Sequence, residues 1–266
     1  RPGPPPERTA RWRSSQGGVS EWHQRPAAVV FDYGDTLVTF VRPDQALQRA
    51  YEEIARRLVL LRQPPLLAAQ LLSEVHDRME DAYAAHQQQA SLEEIDLVEV
   101  AAAAYAELGC SLTADQLDEL LRIEQEAWWD GVEVDPDAKP VIRSLRAAGI
   151  RVGLCSNAPY RVQSLHAQLA HFEFDGMFDA VVFSGALGWR KPSPRIFNAV
   201  LEALSVQPAA ALMVGDSVRY DVLGARAAGM RTLLLQRDDA APPGDAGPVI
   251  HRLRDLLKVL DVTRVI

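Results

Sequence analysis

A short apolar run, Ala27–Phe31, stops abruptly at Asp32-Tyr33-Gly34-Asp35. Its length and its lack of polar alternation predict a buried strand. From Asp44 to about Trp129 the apolar period changes. Leu47, Ala50, Tyr51, Ile54, Leu58 and Leu61 recur at the spacing of one helix face. Ser91-x-x-Glu94 reads as a capping box opening a third helix, which ends before Gly109 at a C′ position. Thr113-x-x-Gln116 opens a fourth helix, bearing Leu117, Leu120, Leu121, Glu124 and Trp128. Four amphipathic helices joined by short breaks predict a small bundle without strands.

Beyond the acidic stretch Glu133–Asp137, which reads as a solvated hinge, the pattern changes again. Strand-length apolar runs at 151–155, 179–183, 210–214 and 231–235 alternate with helical segments near 137–148, 160–170, 193–204 and 218–228. Alternating strands and helices with continuous apolar strands predict an α/β fold. The expected architecture is a Rossmann-like parallel sheet with helices on both faces. The bundle is then an insertion after the first strand. The expected boundaries are a disordered N-terminal arm at 1–26, rich in Pro, Arg, Ser and Gly, an α/β body at 27–40 and 134–266, and the inserted bundle at 41–133.

Charge refines this picture. The chain of 266 residues carries a net charge of −8, with five Arg and two Glu in the arm, so the body is more acidic than the whole. Such a body disfavours nucleic acid and anionic membrane as partners. No apolar run approaches the ~18 residues of a membrane span, and Cys110 and Cys155 match neither a disulfide framework nor a zinc spacing. A cytoplasmic setting is expected. Lys139, Lys191 and Lys258 are the only lysines beside 25 arginines, which draws attention to Lys191.

In an open parallel sheet, ligands bind beyond the carboxyl ends of the strands. There the sequence places Asp32, then Ser156-Asn157, then Gly185 leading to Lys191, then Gly215-Asp216-Ser217 with Asp221 behind. Asp32 and Asp216 could hold a hard cation such as Mg²⁺ through oxygen. Ser156, Lys191 and loop N–H groups could neutralise phosphoryl oxygens. A free carboxylate could attack phosphorus to give an aspartyl-phosphate.

Over about residues 27–260 the chain resembles the haloacid dehalogenase superfamily, with a helical cap inserted after the first motif. The resemblance is carried by Phe31-Asp32-Tyr33-Gly34-Asp35-Thr36-Leu37, Leu154-Cys155-Ser156-Asn157, Arg190-Lys191-Pro192-Ser193-Pro194, and Val214-Gly215-Asp216-Ser217 through Asp221. It implies that Asp32 is the nucleophile and a Mg²⁺ ligand, with the Gly34 carbonyl, Asp216 and Asp221 also at the metal. It further implies that Ser156 and Lys191 hold the phosphoryl group, with Thr36 and Asn157 completing that substrate-binding shell. The expected activity is hydrolysis of a small phosphorylated metabolite. One departure matters. The family's phosphatases usually carry a general acid two residues after the nucleophile, where this chain has Gly34, and its aspartate falls one step later at Asp35. Two other readings follow from that departure: a haloacid dehalogenase, or a non-catalytic protein that binds a phosphorylated ligand. Asp216 counts against the dehalogenase, because dehalogenases generally lack that aspartate.

Overall fold

In the computed structural model, which describes residues 25–238 and 244–264, the five apolar runs lie side by side as parallel strands. They are β1 (Ala28–Phe31), β4 (Arg151–Ser156), β5 (Ala180–Phe183), β6 (Ala211–Gly215) and β7 (Arg231–Leu235), joined at the edge by the two-residue β8 (Val249–Ile250). The order is β5-β4-β1-β6-β7-β8. Successive side chains alternate between the faces of a strand, and both faces here are buried. Val29, Phe31, Leu154, Val214 and Leu233 pack with Val141 and Leu145 of α5 (Ala138–Ala147) and Leu256 of α9 (Asp255–Val259). Ala28, Val30, Cys155 and Met213 pack instead against Ile196, Phe197 and Val200 of α7 (Pro194–Leu204). That double coverage is why these strands read as unbroken apolar runs. Between β4 and β5 lies α6 (Val162–His171), and Gly224–Ala227 forms the short α8.

The inserted segment is helical, as its period predicts. It comprises α1 (Asp44–Leu60), α2 (residues 68–88), α3 (Leu97–Glu107) and α4 (Ala114–Ala127), and α2 contains a π-helical turn at Leu72–His76. Tyr51, Ile54, Leu71, Met79, Ala101, Tyr105 and Leu120 form a core of their own. The Thr113–Gln116 capping box is formed in both directions, and Gly109, at φ +81°, follows the last turn of α3.

Two expectations are corrected and two are refined. α3 starts at Leu97, not near Ser91, and its N-cap is Asp96, which accepts from the Val98 and Glu99 amides. Ser91 bonds only locally with Glu93, because the chain at Leu92–Glu94 is drawn into backbone pairing with Gly188–Arg190. No named strand falls within 44–129, but the segments flanking the bundle are not irregular: β2 (Val38–Phe40) and β3 (Val132–Val134) pair antiparallel. Nor is 133–137 simply solvated. Asp135 pairs with Arg237, and Asp137 is buried with Arg254 and Arg264 beside it. The helix expected near 218–228 begins as a π-helical turn, Val218–Leu223. Of the expected arm, residues 1–24 lie outside the described residues. Pro26 is buried, and exposed Arg25 donates to the Asp261 carbonyl.

Candidate active site

Strand register assembles the site. Phe31 pairs with Leu154 on one side and Val214 on the other. Asp32 therefore leaves β1 one position beyond both partners, and its amide donates to the Val214 carbonyl at 3.0 Å. Ser156 and Asp216 follow Leu154 and Val214 by two positions, so the three residues reach one rim. Gly215 is required just there. A Cβ on it would lie 2.3 Å from the Asp221 carboxyl, so only glycine lets Asp221 turn back against the strand end.

Asp221 sits in the π-helical turn and accepts from the Ser217 amide at 3.0 Å. Lys191 reaches in from the loop after β5. Its Nζ donates to Asp32 Oδ1 at 2.7 Å and to Asp221 Oδ1 at 2.6 Å, with its side chain 2% exposed. Asn157 fixes that loop: its Oδ1 accepts from the Lys191 amide at 2.7 Å, and its Nδ2 donates to the Lys191 carbonyl at 3.3 Å. Thr36 Oγ1 donates to Asp216 Oδ1 at 3.3 Å, while Arg237 donates to the Thr36 carbonyl. Asn157 and Thr36 thus use their polar groups to hold their neighbours. Ser156 is buried at the end of β4.

The electrostatics are those of a crowded acidic rim. Ligand oxygens of Asp32, Asp216 and Asp221 all lie within 4.8 Å of one another. Asp216 keeps a route to solvent, yet partial enclosure, then the charges of Asp221 and Asp32, push its carboxyl up to about 7. Burial also raises Asp221, against the opposing pull of Lys191. For Lys191, burial alone would lower the ammonium, but Asp221 and Asp32 outweigh it and hold it above its ordinary value. Three carboxylates against one ammonium leave an excess of negative charge among hard oxygen donors, a set suited to a divalent cation such as Mg²⁺.

Gly34 contributes no side chain, and Asp35 beside it is exposed. Cys155 is fully buried, and burial pushes its thiol up to about 12, which leaves it inert. Sequence patterning does not mark the contacts between the insertion and the loop after β4. Tyr83 of α2 faces Tyr160 with ring centroids 6.2 Å apart, and Tyr160 Oη approaches Glu80 at 3.4 Å. These residues occupy ordinary helix and loop positions, and nothing in their spacing distinguishes them from packing. Arg190, which precedes Lys191, is buried, and nothing in its local sequence separates it from the other arginines.

Comparison with known proteins shows the family and the fold. The profile of the haloacid dehalogenase-like hydrolases matches residues 26–229. The chain is 34% identical over 125 residues to haloacid dehalogenase-like hydrolase domain-containing protein 3 of Bos taurus, covering 46% of this chain and 49% of that protein. It is 34% identical over 144 residues to phosphatase MT3486 of Mycobacterium tuberculosis, covering 54% and 62%. The matched stretch thus spans about half to three-fifths of these curated relatives. Among solved structures, the HAD phosphatase of Thermococcus onnurineus superposes with a TM-score of 0.61 at 24% identity, over 90% of this chain and 99% of that one. That likeness is one of fold.

Proposed function

Because the chain belongs to the haloacid dehalogenase-like hydrolase family, we propose that it is a Mg²⁺-dependent phosphohydrolase acting on a small phosphorylated metabolite. The phosphatase named among its relatives supports this, and one observation carries it: Lys191 clamps Asp32 and Asp221 at a rim where three carboxylates converge.

Asp32 Oδ1 is taken by Lys191, which orients the carboxylate and leaves its second oxygen to attack phosphorus. The P–O bond to the leaving group breaks as the Asp32–phosphorus bond forms, giving a phosphorylated Asp32 and a departing oxygen that must acquire a proton. Water then attacks the phosphorus, releasing inorganic phosphate and restoring the carboxylate. Ser156, at the end of the neighbouring strand, and Lys191 steady the phosphoryl oxygens. Asn157 and Thr36 keep Lys191 and Asp216 in place. Asp32, Asp216, Asp221 and the Gly34 carbonyl would hold the cation, which supplies positive charge to the phosphoryl group when bound.

Phosphate release from a panel of phosphomonoesters, with Mg²⁺ and with excess EDTA, tests the reading. Asp32→Asn should abolish turnover with the fold retained. Asp216→Asn should lower Mg²⁺ affinity and activity together, since it removes one carboxylate charge from a hard-cation site. Hydrolysis of a haloacid by the wild type in excess EDTA would overturn the assignment. Binding of phosphorylated ligands without any phosphate release would do the same.

A further inference from the structure

Arg190 is 2% exposed, although an arginine is rarely buried without a counter-charge. Its guanidinium lies 5.5 Å from the Tyr220 ring centroid, and its Nε is enclosed without a hydrogen-bond partner. Among the described residues no carboxylate comes within ion-pair distance of it. Lys191, the next residue, has two. The nearby Glu94 does not resolve this: its Oε1 accepts from the Ile95 amide, and its Oε2 is itself enclosed and unpaired.

Arg190 is also held in place by backbone. Its amide donates to the Leu92 carbonyl at 3.0 Å, and the Glu94 amide donates to the Gly188 carbonyl at 3.0 Å. This strap joins the helical insertion to the loop that carries Lys191. Tyr83, whose hydroxyl burial pushes up to about 12, lies within electrostatic range of Glu94, Arg190 and Asp32. Enclosing a guanidinium without a direct ion-pair partner is strongly unfavourable. A fold that ties one there is completed by an anion from outside.

The transferring phosphoryl group already has Lys191 and the cation site. In an in-line displacement the leaving group points away from the nucleophile, and Asp32 attacks from the sheet rim. The leaving group therefore extends toward the insertion, where the strap holds Arg190. We propose that Arg190 is a specificity residue binding a second anionic group, a carboxylate or a second phosphate, on the leaving-group side of the substrate. The assignment rests on the phosphohydrolase reading above. A guanidinium with an aromatic ring on one side and no hydrogen-bond partner of its own among the described residues can offer paired N–H groups to such an oxyanion.

Three phosphomonoesters of similar size test it: glycerol 3-phosphate, with a neutral leaving group, 3-phosphoglycerate, with a carboxylate, and propane-1,3-diol bisphosphate, with a second phosphate. The wild type should prefer at least one anionic substrate by tenfold or more in kcat/KM, mainly through KM, and the favoured one names the group. Arg190→Gln should collapse that ratio toward one, and Arg190→Lys should restore only part of it. The Tm of Arg190→Gln should stay level or rise, because an unpaired buried charge is removed. A ratio unchanged by Arg190→Gln, or a wild type indifferent to the second anion, overturns the proposal. Calorimetric binding of 3-phosphoglycerate and glycerol 3-phosphate to Asp32→Asn, with and without Arg190→Gln, gives the same comparison without turnover. If the wild type hydrolyses neither these esters nor p-nitrophenyl phosphate, the phosphohydrolase reading fails, while equal binding of the two ligands in Asp32→Asn still overturns the role of Arg190.

Discussion

Asp35 adopts φ +55°, a left-handed conformation that disfavours a side chain, while Gly34 before it has no such requirement. A Cβ on Gly34 would meet only the Phe40 ring, at 3.5 Å, an ordinary contact. The backbone therefore tolerates the double change Gly34→Asp with Asp35→Gly, which restores the general acid of related phosphatases. An alkoxide departs badly without a proton, whereas an aryl oxide does not. The double change should raise kcat/KM for glycerol 3-phosphate relative to p-nitrophenyl phosphate by as much as ~10²–10⁴-fold. Equal wild-type rates on both substrates, with the double change lowering both, would show that another group supplies the proton. Lys191 invites a stability test. With the metal removed by EDTA, Lys191→Ala leaves Asp32 and Asp221 together without a cation, so urea unfolding should show a loss of about 3–5 kcal/mol.

The two candidate capping boxes make opposite predictions at the scale of elements. Thr113 caps α4 reciprocally with Gln116, so Thr113→Ala should cost about 1 kcal/mol in urea unfolding. Ser91 touches only Glu93 and starts no helix. Ser91→Ala should therefore change stability by less than about 0.5 kcal/mol, and an equal loss at both sites would contradict the boundary seen for α3. The β2–β3 ribbon ties together the two segments that join the insertion to the sheet domain. Limited proteolysis at 38–43 and 132–137 should be slow before any ligand is added, because cutting first requires the ribbon to open. Rapid cleavage there in the ligand-free protein would show that the pairing is weak in solution.

For the whole molecule, cation binding and folding stability are linked. A ligand that binds only the folded chain at 100 times its Kd stabilises it by about 2.7 kcal/mol. At roughly 2–4 °C per kcal/mol for a chain of this size, Mg²⁺ should raise Tm by several degrees and EDTA should reverse the shift. Asp216→Asn should blunt the response. An identical rise in Asp216→Asn would place the cation elsewhere. No helix among the described residues is long and apolar enough to cross a membrane. Among them, apolar side chains form three large cores, two against the sheet faces and one within the helical insertion.

Sequence alone determined the parallel sheet, the insertion of four helices after its first strand, and the candidate residues at the strand ends. These depend on local period and on the rule that strand ends carry the site, and both are written along the chain. Asp32, Ser156, Lys191, Asp216 and Asp221 were legible because each follows an apolar run or a motif. The two-residue β8 and the single turn at Ser184–Leu187 were not, because elements that short have no period. Contacts between distant segments lay beyond reach as well. The pairing of Leu92–Glu94 with Gly188–Arg190 displaced the start of α3, although the local residues favoured Ser91. The same pairing helps enclose Arg190, whose sequence neighbours give no sign of burial. Tertiary structure alone decided which polar groups Asn157 and Thr36 spend inside the protein, and that the buried Arg190 Nε has no hydrogen-bond partner among the described residues. Hydrogen bonds and desolvation depend on what lies nearby in space, and these partners lie 34 and 180 residues apart in the chain.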